Sequence, residues 1–134
     1  MPLVRIDLRR GKPPSYLRAV GDAVHRALVD CLDVPVRDHF QVVNEHAPEH
    51  LIYDPAYLGV ERTDDVLVVQ ITLSAGRTQE QKRRFYGRLA ALLRENPGIR
   101  PQDVIIALIE NTREDWSFGN GEAHYVVLPK AQWK

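Results

Sequence analysis

The chain is predicted to adopt an α/β (α+β) fold, a tandem β-α-β repeat in which two helices cover one face of a four-stranded sheet. Three features predict it. Short runs rich in Val, Ile and Leu alternate with amphipathic helical patterns in the order strand–helix–strand, twice over. The halves align at a constant offset of 65 residues: Ile6 with Ile71, Leu8 with Leu73, Gly11 with Gly76, Lys12 with Arg77, Val24 with Leu89, Leu28 with Leu93, Asp38 with Asp103 and Glu45 with Glu110. A length of 134 residues fits a single domain, residues 1–134, with the units at approximately 2–45 and 66–110.

Each element has its own signal. Residues 3–8 set Val4 and Ile6 against Arg5 and Asp7, a loose strand alternation. Gly11-Lys12-Pro13-Pro14 breaks it, and Ser15 is placed to cap a helix. Leu17, Val20, Val24, Ala27, Leu28 and Cys31 then recur every three or four residues, with Arg18, Asp22, Arg26 and Asp30 mostly opposite. Residues 40–43 read as a second strand. The connection over 46–65, with Pro48, Pro55 and Gly59, has room for a short hairpin. Residues 66–73 form the clearest strand. A helix over 77–95 turns Phe85, Leu89, Leu92 and Leu93 inward and ends at Asn96-Pro97-Gly98. Residues 104–109 form a further strand, and the tail from Thr112 is irregular until residues 125–128. Crossover helices imply parallel pairing within each unit and both helices on one face. The opposite face, with apolar residues of its own, then calls for subunit association.

Composition excludes several classes. With 44% hydrophobic residues the chain is not disordered, and 8 Gly with 9 Pro is not a linker or collagen composition. Lys+Arg and Asp+Glu balance at 18 each, against a nucleic-acid or anionic-membrane partner. One cysteine, Cys31, allows no internal disulfide and no Cys-based zinc site. No run approaches the ~20 apolar residues of a membrane span, and residues 1–10 lack a signal-peptide core, so a cytoplasmic location is expected.

Pro2 is the first candidate for chemistry. Removal of Met1 leaves a free secondary amine, which is both base and nucleophile. Desolvation lowers its pKa and a carboxylate neighbour raises it, the first giving a general base and the second a cationic acid. Asp38 sits just before an apolar strand, where a carboxylate activates water or holds a cation, or simply ends a turn. Arg77 stands where a strand meets a helix, unfavourably for the helix dipole and well placed to grip a carboxylate. Trp116 and Phe118 fall in a loop, off any periodic face, and either wall a small pocket or plug an interface. His39, His46 and His50 have no recognised ligand spacing, so no metal is expected. Gly119-Asn120-Gly121 is followed by no expected helix and is not read as a phosphate loop. The run Gln81-Lys82-Arg83-Arg84 reads as a solvated helix face.

With these residues in place, the chain resembles the tautomerase superfamily and, within it, the malonate semialdehyde decarboxylase family, from Pro2 to about Gly121. Besides Pro2, the likeness rests on Asp38-x-x-Gln41-Val42-x-x-Glu45-His46, on residues 59–66 (GVERTDDV), on Arg77-x-x-Glu80-Gln81-Lys82-x-x-Phe85-Tyr86, and on Asp115-Trp116-Ser117-Phe118-Gly119. The resemblance implies a homotrimer with its site around the amino-terminal proline and no cofactor. It implies a cationic proline that polarises the carbonyl of a 3-oxo acid, an assisting aspartate at Asp38, and a tryptophan at Trp116 lining the site. The family's known decarboxylase has two closely spaced arginines after the third strand; here Ser74 and Gly76 stand there, and Arg77 follows.

The leading expectation is therefore cofactor-independent decarboxylation of a small 3-oxo acid such as malonate semialdehyde. Pro2 is the acid, Asp38 its partner, Arg77 the carboxylate clamp, and Phe40, Trp116 and Phe118 the apolar wall. A keto–enol tautomerase or a hydratase on the same scaffold is the second reading. A non-catalytic ferredoxin-like binding module, with Trp116 and Trp133 at a protein interface, is the third.

Overall fold

The structure, a computed structural model, describes residues 2–134; Met1, whose removal the amine chemistry requires, lies outside the described residues. The chain runs β1 (Pro2–Arg9), α1 (Pro14–Leu32), β2 (Gln41–His46), β3 (Leu67–Ser74), α2 (Gln79–Glu95) and β4 (Val104–Asn111), with a single helical turn α3 (His124–Val127) near its end. The four strands lie in the order β2-β1-β3-β4. Within each β-α-β unit the strands pair in parallel, as crossover helices require, and the two units join through antiparallel β1 and β3. The predicted architecture is the one observed.

Period-two and period-3.6 patterns meet in one core. Val4, Ile6 and Leu8 of β1 and Leu67, Val69, Ile71 and Leu73 of β3 turn toward the helices. They pack against Val20, Val24, Ala27, Leu28 and Cys31 of α1 and Phe85, Leu89, Leu92 and Leu93 of α2. Each such Val, Leu, Ile or Phe side chain taken fully out of water contributes roughly 1.5–3 kcal/mol. The other sheet face is open and carries Arg5, Gln70 and Thr72 beside Leu3, Val42 and Ile109.

The element ends differ from the sequence pattern in instructive ways. Ser15 is not a cap: α1 begins two residues earlier than a Ser15 cap implies, with Pro14 at its first position and Pro13 preceding it. Proline has no N–H to satisfy there, so no side-chain acceptor is needed for it. α2 begins at Gln79 rather than 77, because Thr78 and Gln81 form a reciprocal capping box. β2 starts at Gln41 and runs three residues past the expected end. The connection over 47–66 holds two short 3-10 turns, Pro48–His50 and Tyr57–Gly59, and no hairpin. Residues 124–127 are a helical turn.

The 47–66 connection is tied down by long-range polar contacts. Buried Asp103 accepts from the Thr63 backbone N–H and hydroxyl, both at 2.7 Å, and Asp64 accepts from Arg9 and Tyr53, also at 2.7 Å. No helix among the described residues is long and apolar enough to cross a membrane.

Candidate active site

The site forms where the first strand starts and the third ends. Antiparallel pairing sets Pro2, which is buried, opposite Leu73, next to Ser74. The Val4 N–H donates to the Phe40 carbonyl at 3.1 Å, so the segment before β2, carrying Asp38, runs alongside the start of β1. A turn closed by Asp38 N–H on the Pro35 carbonyl, 3.0 Å, sets its direction. Asp38 is half-buried, and that burial raises its carboxyl above the ordinary carboxylate range. The amino-terminal charge, His25 and Arg77 pull it back down.

Arg77 is fixed by backbone. Its Nε and Nη2 donate to the Leu32 carbonyl at 3.2 and 3.0 Å, and its Nη1 to the Ser74 carbonyl at 3.0 Å. The guanidinium thus satisfies an orphan carbonyl at the end of α1, where the helix dipole favours a cation. Three of its hydrogen bonds go to backbone, leaving two of the five N–H donors of an arginine for a substrate.

The predicted aromatics form a stack. Phe118 lies parallel to Trp116 with centroids 5.6 Å apart and 6.2 Å from Phe40. Trp116 Nε1 donates to the Ser74 hydroxyl at 3.1 Å, so the residue at a missing-arginine position orients the indole instead. Two concavities result. One, of about 320 Å³, is walled by Phe40, Phe118, His124 and Leu128; the other, of about 430 Å³, by Ser74, Arg77, Arg113 and Lys130. Asp38, Tyr125 and Trp133 line both. The structure therefore brings Asp38 together with Phe40 and Phe118 in one concavity and with Arg77 in the other. Trp116 sits behind Phe118, and Pro2 lines neither concavity.

Sequence reasoning missed the final segment, residues 124–133, as part of the site. His124 Nδ1 accepts the Phe118 N–H at 3.1 Å, Tyr125 meets Phe118 edge-on at 5.1 Å, and Trp133 packs on Tyr125 at 4.7 Å. Burial first, then the Asp38 charge, pushes the Tyr125 phenol up to about 12, opposed by Arg77. The available signal was aromatic: a Tyr and a Trp in a tail of mixed composition. The histidines weighed for metal go elsewhere. His39 stacks on His25 at 4.0 Å, and His46 contacts Asp7 at 2.6 Å.

The sequence model of a family described as "Tautomerase enzyme" matches residues 38–119, and a second model of that description matches residues 2–61. The chain belongs to the tautomerase superfamily. Within the tautomerases it is malonate semialdehyde decarboxylase-like. It is similar to crystal structures of malonate semialdehyde decarboxylase, with TM-score 0.88 at 37% identity over 92% of this chain and 95% of that one. A malonate semialdehyde decarboxylase inhibited by 3-bromopropiolate gives TM-score 0.87 at 42% identity, over 92% and 94%. A fused 4-OT symmetric trimer shares the fold, with TM-score 0.75 at 23% identity over 93% and 98%. Probable tautomerase YusQ of Bacillus subtilis (strain 168) is 40% identical over 94% of this tautomerase chain and 99% of its own length.

Proposed function

We propose that the protein decarboxylates a small 3-oxo acid, malonate semialdehyde or a near relative, using the Pro2 amine freed by removal of Met1. The observation that carries this reading is the half-buried Asp38 carboxyl in the segment that runs alongside the start of β1, where removal of Met1 leaves the Pro2 amine. A carboxylate beside a secondary amine raises the amine's pKa and keeps it a cation at neutral pH.

The proline ammonium then donates a hydrogen bond to the C3 carbonyl oxygen and polarises it. The C1–C2 bond breaks, its electron pair passes through C2 to the carbonyl oxygen, and carbon dioxide leaves. Proton transfer from the ammonium gives the enol, which becomes the aldehyde as C2 takes a proton from water and the hydroxyl proton returns to the proline amine. The β-carbonyl is the electron sink, so the proposal needs no cofactor and no metal. Arg77 orients the departing carboxylate with its two remaining donors, and Phe40 and Phe118, with Trp116 behind, keep bulk water from the enol. The reading extends to one domain over 1–134, a homotrimer covering the open sheet face, and a cytoplasmic setting.

Keto–enol tautomerisation is the second reading, favoured by the name of the 40% identical relative and by the raised Asp38 carboxyl. A carboxyl whose charged form burial disfavours supports a cationic proline less, and a neutral proline is a base. Hydration on the same scaffold uses the same pair.

The test is to incubate Met1-free protein with malonate semialdehyde and follow acetaldehyde by proton NMR, beside Pro2→Ala. The expected result is rapid acetaldehyde formation that falls roughly 10²–10⁴-fold in Pro2→Ala. Equal rates in both would remove Pro2 from the mechanism. Ketonisation of an enol acid without decarboxylation would move the assignment to a tautomerase. Inactivity toward both substrates would favour the binding-module reading.

A further inference from the structure

We propose that Arg113 is a specificity-determining residue of this site: the second cation of the carboxylate pocket, held in place by Trp133. The inference rests on the proposed acid substrate and names the group that grips it.

The need for a second cation follows from Arg77. Backbone carbonyls hold three of its N–H donors, and the positions of the missing arginine pair carry Ser74 and Gly76. A carboxylate has two oxygens and accepts from more donors than Arg77 has left. Arg113 and Lys130 line the same 430 Å³ space as Arg77, against the acids Asp33 and Asp38.

The geometry singles out Arg113. It begins the 3-10 turn Arg113–Asp115, whose capping box ties Asp115 to Thr112: the Thr112 N–H and hydroxyl donate to Asp115 Oδ2 at 2.8 and 2.9 Å. The nearest acid in sequence but one is thus committed to Thr112. Among the described residues Arg113 has no ion pair; its contact is the Trp133 ring, 4.9 Å from guanidinium carbon to ring centroid. A guanidinium on a ring face is held through its π surface, so its in-plane N–H donors stay available to a carboxylate. Trp133 is itself placed: its Nε1 donates to the Leu128 carbonyl at 3.3 Å and its ring packs on Tyr125. The final segment therefore builds the platform on which Arg113 lines the space that Arg77 also lines.

The test uses full-length, Met1-free protein and two readouts. Calorimetric binding of 3-hydroxypropanoate, an unreactive acid of the same length, reports the carboxylate grip. KM and kcat for malonate semialdehyde report turnover. Arg113→Gln should weaken binding and raise KM roughly 10- to 100-fold with little change in kcat, the range for losing one charge-assisted contact. Arg113→Lys should recover part of the loss. Trp133→Leu should follow Arg113→Gln, and Trp133→Phe, which keeps a ring face but loses the Nε1 donor, should recover part of the loss. Unchanged binding in Arg113→Gln would overturn the proposal, as would parent protein that does not bind 3-hydroxypropanoate. Parent protein that binds the acid through Arg113 but releases no carbon dioxide would leave the clamp standing and remove the decarboxylase reading.

Discussion

Burial holds the Asp38 carboxyl above the ordinary value of 3.8, despite the opposing amino-terminal charge, His25 and Arg77. An acid raised in the folded state binds more protons folded than unfolded, so it lowers stability as pH rises through the interval between the two values. Below that interval the penalty is absent, and above it the penalty is complete. Asp38→Asn should therefore raise the thermal midpoint at pH 7 and leave it nearly unchanged near pH 3, read by calorimetry. The same variant should cut turnover roughly 10²–10⁴-fold, because the proline loses its carboxylate partner. A midpoint that falls at pH 7 would mean the carboxylate is a net stabiliser. Tyr125, pushed up to about 12, stays a neutral donor throughout the physiological range and adds no limb to the rate profile there.

At the level of elements, the helices and strands were legible because a single buried face imposes a period, and Val24, Leu28, Leu89 and Leu93 display it without help from distant residues. The 47–66 connection has no period to read. Its shape comes from contacts made across 40 to 55 residues, Thr63 with Asp103 and Arg9 with Asp64 among them. The 65-residue alignment paired Asp103 with Asp38, yet one is a structural acceptor and the other lines the site. Asp103→Ala removes the acceptor of two hydrogen bonds and leaves the Thr63 N–H unpaired. It should cost roughly 2–4 kcal/mol by denaturant unfolding, with faster amide exchange confined to the connection. A loss below about 0.5 kcal/mol would show that water replaces the carboxylate at little cost.

For the whole molecule, the open sheet face is the feature that demands an explanation. Ile109 is 44% exposed there and neighbours Thr72 in β3, across from Leu3 in β1, with Val42 exposed on the far edge strand β2. A charge at so exposed a position costs an isolated chain little. On the proposed homotrimer, Ile109→Asp should therefore leave helical content intact while shifting sedimentation from three chains to one, with activity falling in step. Unchanged sedimentation would mean that this face is not the assembly surface. The chain's own sequence determined the tandem β-α-β order, the face each helix buries, and the identity of Pro2, Asp38, Phe40, Trp116 and Phe118 as candidates. Those properties follow from local period, local turn chemistry and residue type. Only the tertiary structure decided that Arg77 is largely held by the end of α1, that Ser74 orients Trp116, and that residues 124–133 close over Asp38. Each of these joins segments that no local pattern links, through side-chain contacts that exist only once the sheet has brought the chain's beginning, middle and end together.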